Sequence, residues 1–153
     1  MKNKKKLILG ILIIIFVLLQ IYPSEKPSVT IDNPNDLIVT DKVPEAIALK
    51  LKTACYDCHS NKTKFPWYSN IAPMKWLIYD HINHGREELN FSEWNTLTID
   101  DKADALDDIS SMILDGDMPL SGYVKFHSEA KLSEADREAI AAWADDMLDS
   151  LYE

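Results

Sequence analysis

The run "CYDCH", Cys55 to His59, holds both cysteines and one of the four histidines of this 153-residue chain. No other feature restricts the fold as tightly, because the backbone must present two thiols and an imidazole to one object. On a helix, Cys55 and Cys58 lie three apart on one face and His59 follows one turn after Cys55. The segment leading in has a helical pattern. Pro44 suits a first helical position, and Ile47, Leu51, Ala54 and Cys58 recur at helical spacing.

Three further helices are legible. One runs from Pro73 to Gly85, with Met74, Ile78, His81 and Ile82 on one face. Another begins at Thr98, a good cap, with Asp100 and Asp101 suited to the positive end, and stops at Gly116. Ala105, Ile109 and Met112 form its stripe. The last has Ser133 as N-cap and Asp136 at the capping-box position, with Ile140, Trp143, Met147 and Leu151 facing the core. No internal repeat is present, and no alternation of period two extends beyond "LIV". The expected fold class is all-α, with "SNKTKFPWYSNIA" and "DMPLSGYVKFHSEAK" left as extended coil. Long loops in a compact domain usually carry function or wrap something, and a large apolar cofactor would complete this thin core.

The N-terminus has another purpose. "MKNKKK" carries Lys2, Lys4, Lys5 and Lys6, and an apolar run from Leu7 to Ile21 follows, broken only by Gly10 and Gln20. That is the layout of a secretory signal or an anchor, although a spanning helix needs ~20 residues. Tyr22 and Pro23 stand where a signal peptidase site would have small residues, and Tyr22 suits a headgroup belt, so an uncleaved anchor is favoured. A lipoprotein is excluded because the first cysteine is Cys55. Residues 1–22 are therefore expected as anchor or signal, 23–42 as a flexible tether, and 43–153 as the functional domain, exported while the lysines stay in the cytoplasm. Without those four lysines, 12 basic residues face 25 acidic ones, so a net charge of −9 becomes −13. A nucleic-acid partner would be repelled, whereas a basic protein patch would be attracted.

An exported chain narrows the readings of "CYDCH". A redox dithiol belongs at a strand-to-helix junction, and here a helix leads in. Structural zinc needs four ligands and rarely takes two adjacent residues, although His81, His84 or His127 could join the set. A plain disulfide suits an exported protein but leaves His59 and the loops unexplained. Covalent haem attachment uses every element: two sulfurs for the vinyl groups and His59 for the iron.

One histidine leaves the other iron face open. Met118 in "GDMPL" is the leading candidate, in a loop stiffened by Pro119. A thioether opposite imidazole raises the potential and suits electron transfer. His81 is the rival, although a histidine on an apolar helix face is equally explained as a hydrogen-bonded core residue. His127 is a weaker candidate, and His84 reads as a helix-end charge. An unligated sixth site would open gas sensing or peroxidase chemistry. Trp67, Tyr68 and Trp76 could cover a porphyrin, and Arg86 could pair with a propionate or form a surface salt bridge.

Together, the stretch from Cys55 to Asn95, "GDMPL" and "KLSEADREAIAAWA" resemble the haem-binding-domain family of small, membrane-anchored, mono-haem c-type cytochromes, from about Val43 to Ala144. The resemblance implies a cytochrome c-like helical domain wrapped around one covalent haem c on Cys55, Cys58 and His59. Met118 falls at the usual ligand methionine, while His81, Arg86 and His127 also belong to the family pattern. The expectation is a single-electron carrier at the periplasmic face of the inner membrane, exchanging electrons with membrane-bound or soluble partners. No two-electron site or substrate cleft is in view, so electron transfer is expected rather than catalysis. The alternatives are a haem sensor or peroxidase-like protein with an open or histidine-ligated sixth site, and a zinc- or disulfide-stabilised module without haem.

Overall fold

Helices form where capping chemistry and apolar spacing coincide. The computed structural model describes residues 2–152. It contains α1 (Lys2–Ile21), α2 (Leu37–Thr40), α3 (Glu45–Ala54), α4 (Tyr56–His59), α5 (Met74–Glu88), α6 (Ile99–Asp115), α7 (Ser121–Phe126) and α8 (Glu134–Ser150), with 3-10 turns at Trp67–Asn70, Phe91–Thr96 and Ser128–Ala130. No strand occurs among the described residues, so the all-α expectation holds.

The two long helices carry the framework. Thr98 and Asp101 form a reciprocal capping box on α6, and Ser133 and Asp136 do the same on α8. Each box satisfies backbone donors that a helix start leaves free. α6 and α8 pack along their length, burying Leu106, Ile109 and Ile113 with Ile140 and Ala144. The Lys50 ammonium from α3 donates to the Asp136 carboxylate, tying α3 to the start of α8. That bond and those from Ser133 hold the Asp136 carboxyl below the usual carboxylate range.

The helix expected through Cys58 breaks at Cys55, where φ is −121° and ψ is −40°. A new turn, α4, starts at Tyr56. The break lets Tyr56 enter the core, where its ring stacks on Phe91 at 5.3 Å and its hydroxyl donates to Asp36 Oδ1 at 2.9 Å. The second expected helix does not stop at Gly85 either. Gly85 is buried inside α5, and a Cβ there would lie 3.1 Å from the Cys58 carbonyl oxygen. This glycine permits close contact between α5 and α4 instead of ending a helix. Gly85→Ala is therefore expected to destabilise the domain by about 1–2 kcal/mol, since overpacking costs ~1–3 kcal/mol against a helix-propensity gain below ~1 kcal/mol. Urea unfolding of the two proteins measures it.

Residues 23–42, expected as a flexible tether, are bonded to the domain at several points. Thr30 N–H donates to the Asn61 carbonyl, Asn95 N–H donates to the Asn35 carbonyl, and Leu37 is fully buried. Asp36 explains why this loop is ordered. Its carboxylate caps α2 through Ile38 N–H, accepts from the Tyr56 hydroxyl and pairs with Lys62 at 3.0 Å. Asp36→Ala should cost about 2–3 kcal/mol. That is less than the ~3–5 kcal/mol of a fully buried pair, because Lys62 keeps 32% of its side chain exposed and can rehydrate. A fall in Tm of about 10 °C is the expected calorimetric result.

α1 projects its apolar side chains, Leu7 to Leu18, away from the domain. Its C-terminal end is bonded to the domain through Gln20, and Tyr22 just beyond it accepts from Lys75. No described helix is long and apolar enough to cross a membrane. The apolar stretch from Leu7 to Ile21 measures about 22 Å at the α-helical rise, against ~30 Å of hydrocarbon.

Candidate functional site

The break at Cys55 and the close seat of α4 under Gly85 open an apolar cavity of about 450 Å³. Cofactor pockets span ~300–1,000 Å³. Leu51 and Ala54 of α3 form one wall, and Ala105, Ile109 and Met112 of α6 form another. The stripe read as the core face of α6 is thus largely a cavity wall. Met112 is 43% exposed there, while Leu106 and Ile113 make the buried core one position over.

Cys55, Cys58 and His59 all border this cavity. The His59 Nδ1–H donates to the Leu89 carbonyl at 3.1 Å, and the ring meets Phe91 edge-on at 6.3 Å. The carbonyl can only accept, so the proton sits on Nδ1 and Nε2 keeps its lone pair. Burial lowers the His59 pKa below its ordinary value and favours the neutral ring. Burial also pushes the Cys55 thiol up to about 12 and the Cys58 thiol up to about 11, with Cys58 and Asp57 adding to the respective shifts. An activated dithiol instead needs a lowered pKa and an electropositive setting. The two cysteines are not joined to each other. Among the described residues no group of three or more His, Cys, Asp or Glu side chains is placed to hold a metal ion.

The loop after α6 brings Met118 to the same cavity. Gly116 ends the helix at φ 80°, and the N–H groups of Asp117 and Met118 both donate to the Met112 carbonyl, at 3.0 and 3.2 Å. The chain is folded back over the helix end, with Met118 half-buried. A side chain at residue 116 would be strained at that φ and would meet Arg137. His81 also borders the cavity, on an exposed stretch of α5, and His84 sits beside it 3.9 Å from Glu88.

Other expected site residues lie elsewhere. Arg86 donates to the Ser60 and Ser28 carbonyls and the Thr63 hydroxyl. It does not border the cavity; it clamps the segments on either side of α4, a role its position in the sequence did not show. Trp67 is 79% exposed and Trp76 packs against Tyr22, both off the cavity. Tyr68 and His127 line a smaller adjoining cavity of about 100 Å³, which shares Cys58, His81, Leu120 and Tyr123 with the larger one. Tyr123 was missed because its segment reads as coil. It lies in α7, stacks on His127 at 4.1 Å and donates its hydroxyl to Asp57 at 2.8 Å. The Leu89 carbonyl was also missed, since a backbone acceptor has no sequence signature.

A helical domain that gathers two thiols, a tautomer-fixed imidazole and a thioether on one apolar cavity defines a small cofactor-binding protein. The family described as haem-binding domain matches residues 14–146, and the chain belongs to it. Comparison with curated proteins and with solved structures finds no match. The site suits haem on its own chemistry: an apolar cavity of sufficient size, a free imidazole Nε2, neutral thiols and a soft sulfur donor.

Proposed function

We propose that this haem-binding protein is a single-electron carrier with one c-type haem, held covalently by Cys55 and Cys58 with His59 and Met118 as axial ligands. The convergence of those four residues on one apolar cavity carries the reading. When bound, haem supplies one-electron redox chemistry. The chain holds it and sets its environment. The Leu89 carbonyl orients His59 for a Nε2 contact, and the folded-back 117–118 backbone presents the Met118 sulfur. The walls of α3 and α6 present apolar side chains to the cavity, and a thioether ligand favours the reduced state.

The proposed location is the periplasmic face of the inner membrane. α1 would engage the bilayer with its lysines reaching the cytoplasmic headgroups and the bilayer thinning around its short apolar length. Membrane-bound or soluble redox partners with basic patches suit the acidic domain.

The test is to produce the full chain in cells with cytochrome c maturation machinery and ask whether haem stays on it through denaturation. One retained haem per chain is the expected result; a mature chain without haem sinks the reading. His81 on the cavity edge supports a second reading, a sensor or peroxidase-like protein with an open or histidine-ligated sixth site. Rapid carbon monoxide binding to the reduced protein would favour an open site.

A further inference from the structure

The chain carries 25 carboxylates, yet the stretch from Cys58 to Tyr79 has none and holds three lysines, of which Lys62 pairs with Asp36, Lys75 is buried and Lys64 is exposed. The same stretch exposes large apolar side chains: Trp67 at 79%, Leu77 at 50% and Ile71 at 37%. Phe126, also exposed, extends the patch through Tyr68, 5.7 Å away. Lys26 lies over Phe65 at 4.2 Å and donates to the Asn70 side-chain oxygen.

This shoulder is bonded to the end of α1. Gln20 accepts from the Ala72 N–H and donates to the Ala72 carbonyl. The buried Lys75 ammonium donates to the Gln20 and Tyr22 carbonyls, where a cation offsets the negative helix end. Tyr22 and Trp76 meet edge-on at 5.6 Å. The domain is therefore clamped to α1 and does not hang from a loose tether.

We propose that the shoulder from Lys64 to Leu77 is a membrane-docking surface, seated on the anionic headgroup layer of the leaflet from which α1 emerges. The inference rests on the reading that α1 engages the bilayer. Three observations commit it to lipid. The surface is continuous with α1 through four hydrogen bonds. It combines exposed Trp67 and half-buried Tyr68 with Lys64, the chemistry of the membrane interface. The apolar length of α1, about 22 Å, falls short of the hydrocarbon layer, which draws its bonded end down to the headgroups. Docking would hold the haem cavity at one orientation, with the smaller cavity beside Lys64 and Leu77 on the bilayer side.

The test uses full-length holoprotein in vesicles of mixed phosphatidylcholine and phosphatidylglycerol that contain a photoactivatable phosphatidylcholine, with lipid adducts mapped by mass spectrometry. Adducts on both α1 and the 64–77 segment are expected. Lys64→Glu should lower the shoulder yield by about fivefold or more, the effect of ~1 kcal/mol per surface cation, with α1 adducts unchanged. Adducts on α1 alone overturn the docking surface and leave the anchor standing. Failure to float with vesicles overturns both. Trp67 shielded by crosslinks between two copies, without lipid adducts, assigns the patch to self-association and also overturns the proposal.

Discussion

Replacing both Cys55 and Cys58 by alanine is expected to abolish haem retention through denaturation altogether. Both thiols border the cavity and both are held protonated by burial, so neither serves as a charged surface group. Their removal takes one sulfur each from the cavity wall and leaves His59, Leu89 and the α6 wall in place. The double variant should therefore still take up haem reversibly while releasing it into denaturing solvent. With covalent attachment as proposed, each single variant would keep one link and should retain haem with a shifted absorption spectrum. A zinc site would give a different result: loss of metal from the double variant, with no haem on either protein. Denaturing electrophoresis with haem staining, together with metal analysis, separates the two.

Met118→Ala should lower the reduction potential by a substantial part of the ~0.8 V range that axial ligands span. It should also make the reduced protein bind carbon monoxide rapidly. A thioether stabilises the reduced state more than water or a second imidazole does, and the loop that presents Met118 is fixed by the Met112 carbonyl. The substitution leaves those backbone bonds intact, so the effect should be confined to ligation. An unchanged potential and spectrum would place Met118 in packing alone and make His81, on the same cavity, the next ligand to test. Met118→Ala and His81→Ala measured together assign the sixth site.

Local signals in the sequence match the structure where one short segment supplies both partners of an interaction. Thr98 caps α6 and Ser133 with Asp136 caps α8 as expected, Asp101 adds a reciprocal bond to the Thr98 cap, and Gly116 ends α6 in the left-handed conformation. Each is set by residues within a turn or so of one another. Gly85 looked like a similar stop but is a contact glycine, because its reason is the Cys58 carbonyl, 27 positions away in the chain. Arg86 looked like a cofactor partner, but its guanidinium is taken up by the Ser28, Ser60 and Thr63 oxygens. The 23–42 segment has a tether's composition, yet the buried Asp36 makes much of it part of the domain.

By itself the sequence determined the chemistry of the site and the helical class. Thiol, imidazole and thioether are properties of residue type, and helix starts and stops depend on neighbours within a few positions. Only the tertiary structure decided which of these groups meet. It broke the helix at Cys55 to bury Tyr56, turned His59 towards the Leu89 carbonyl, brought Met118 back over α6 and kept Arg86 and Trp67 off the cavity. The reason is that a backbone carbonyl or a buried carboxylate selects its partner by position in space, and residues far apart in the chain are placed together only when the core packs.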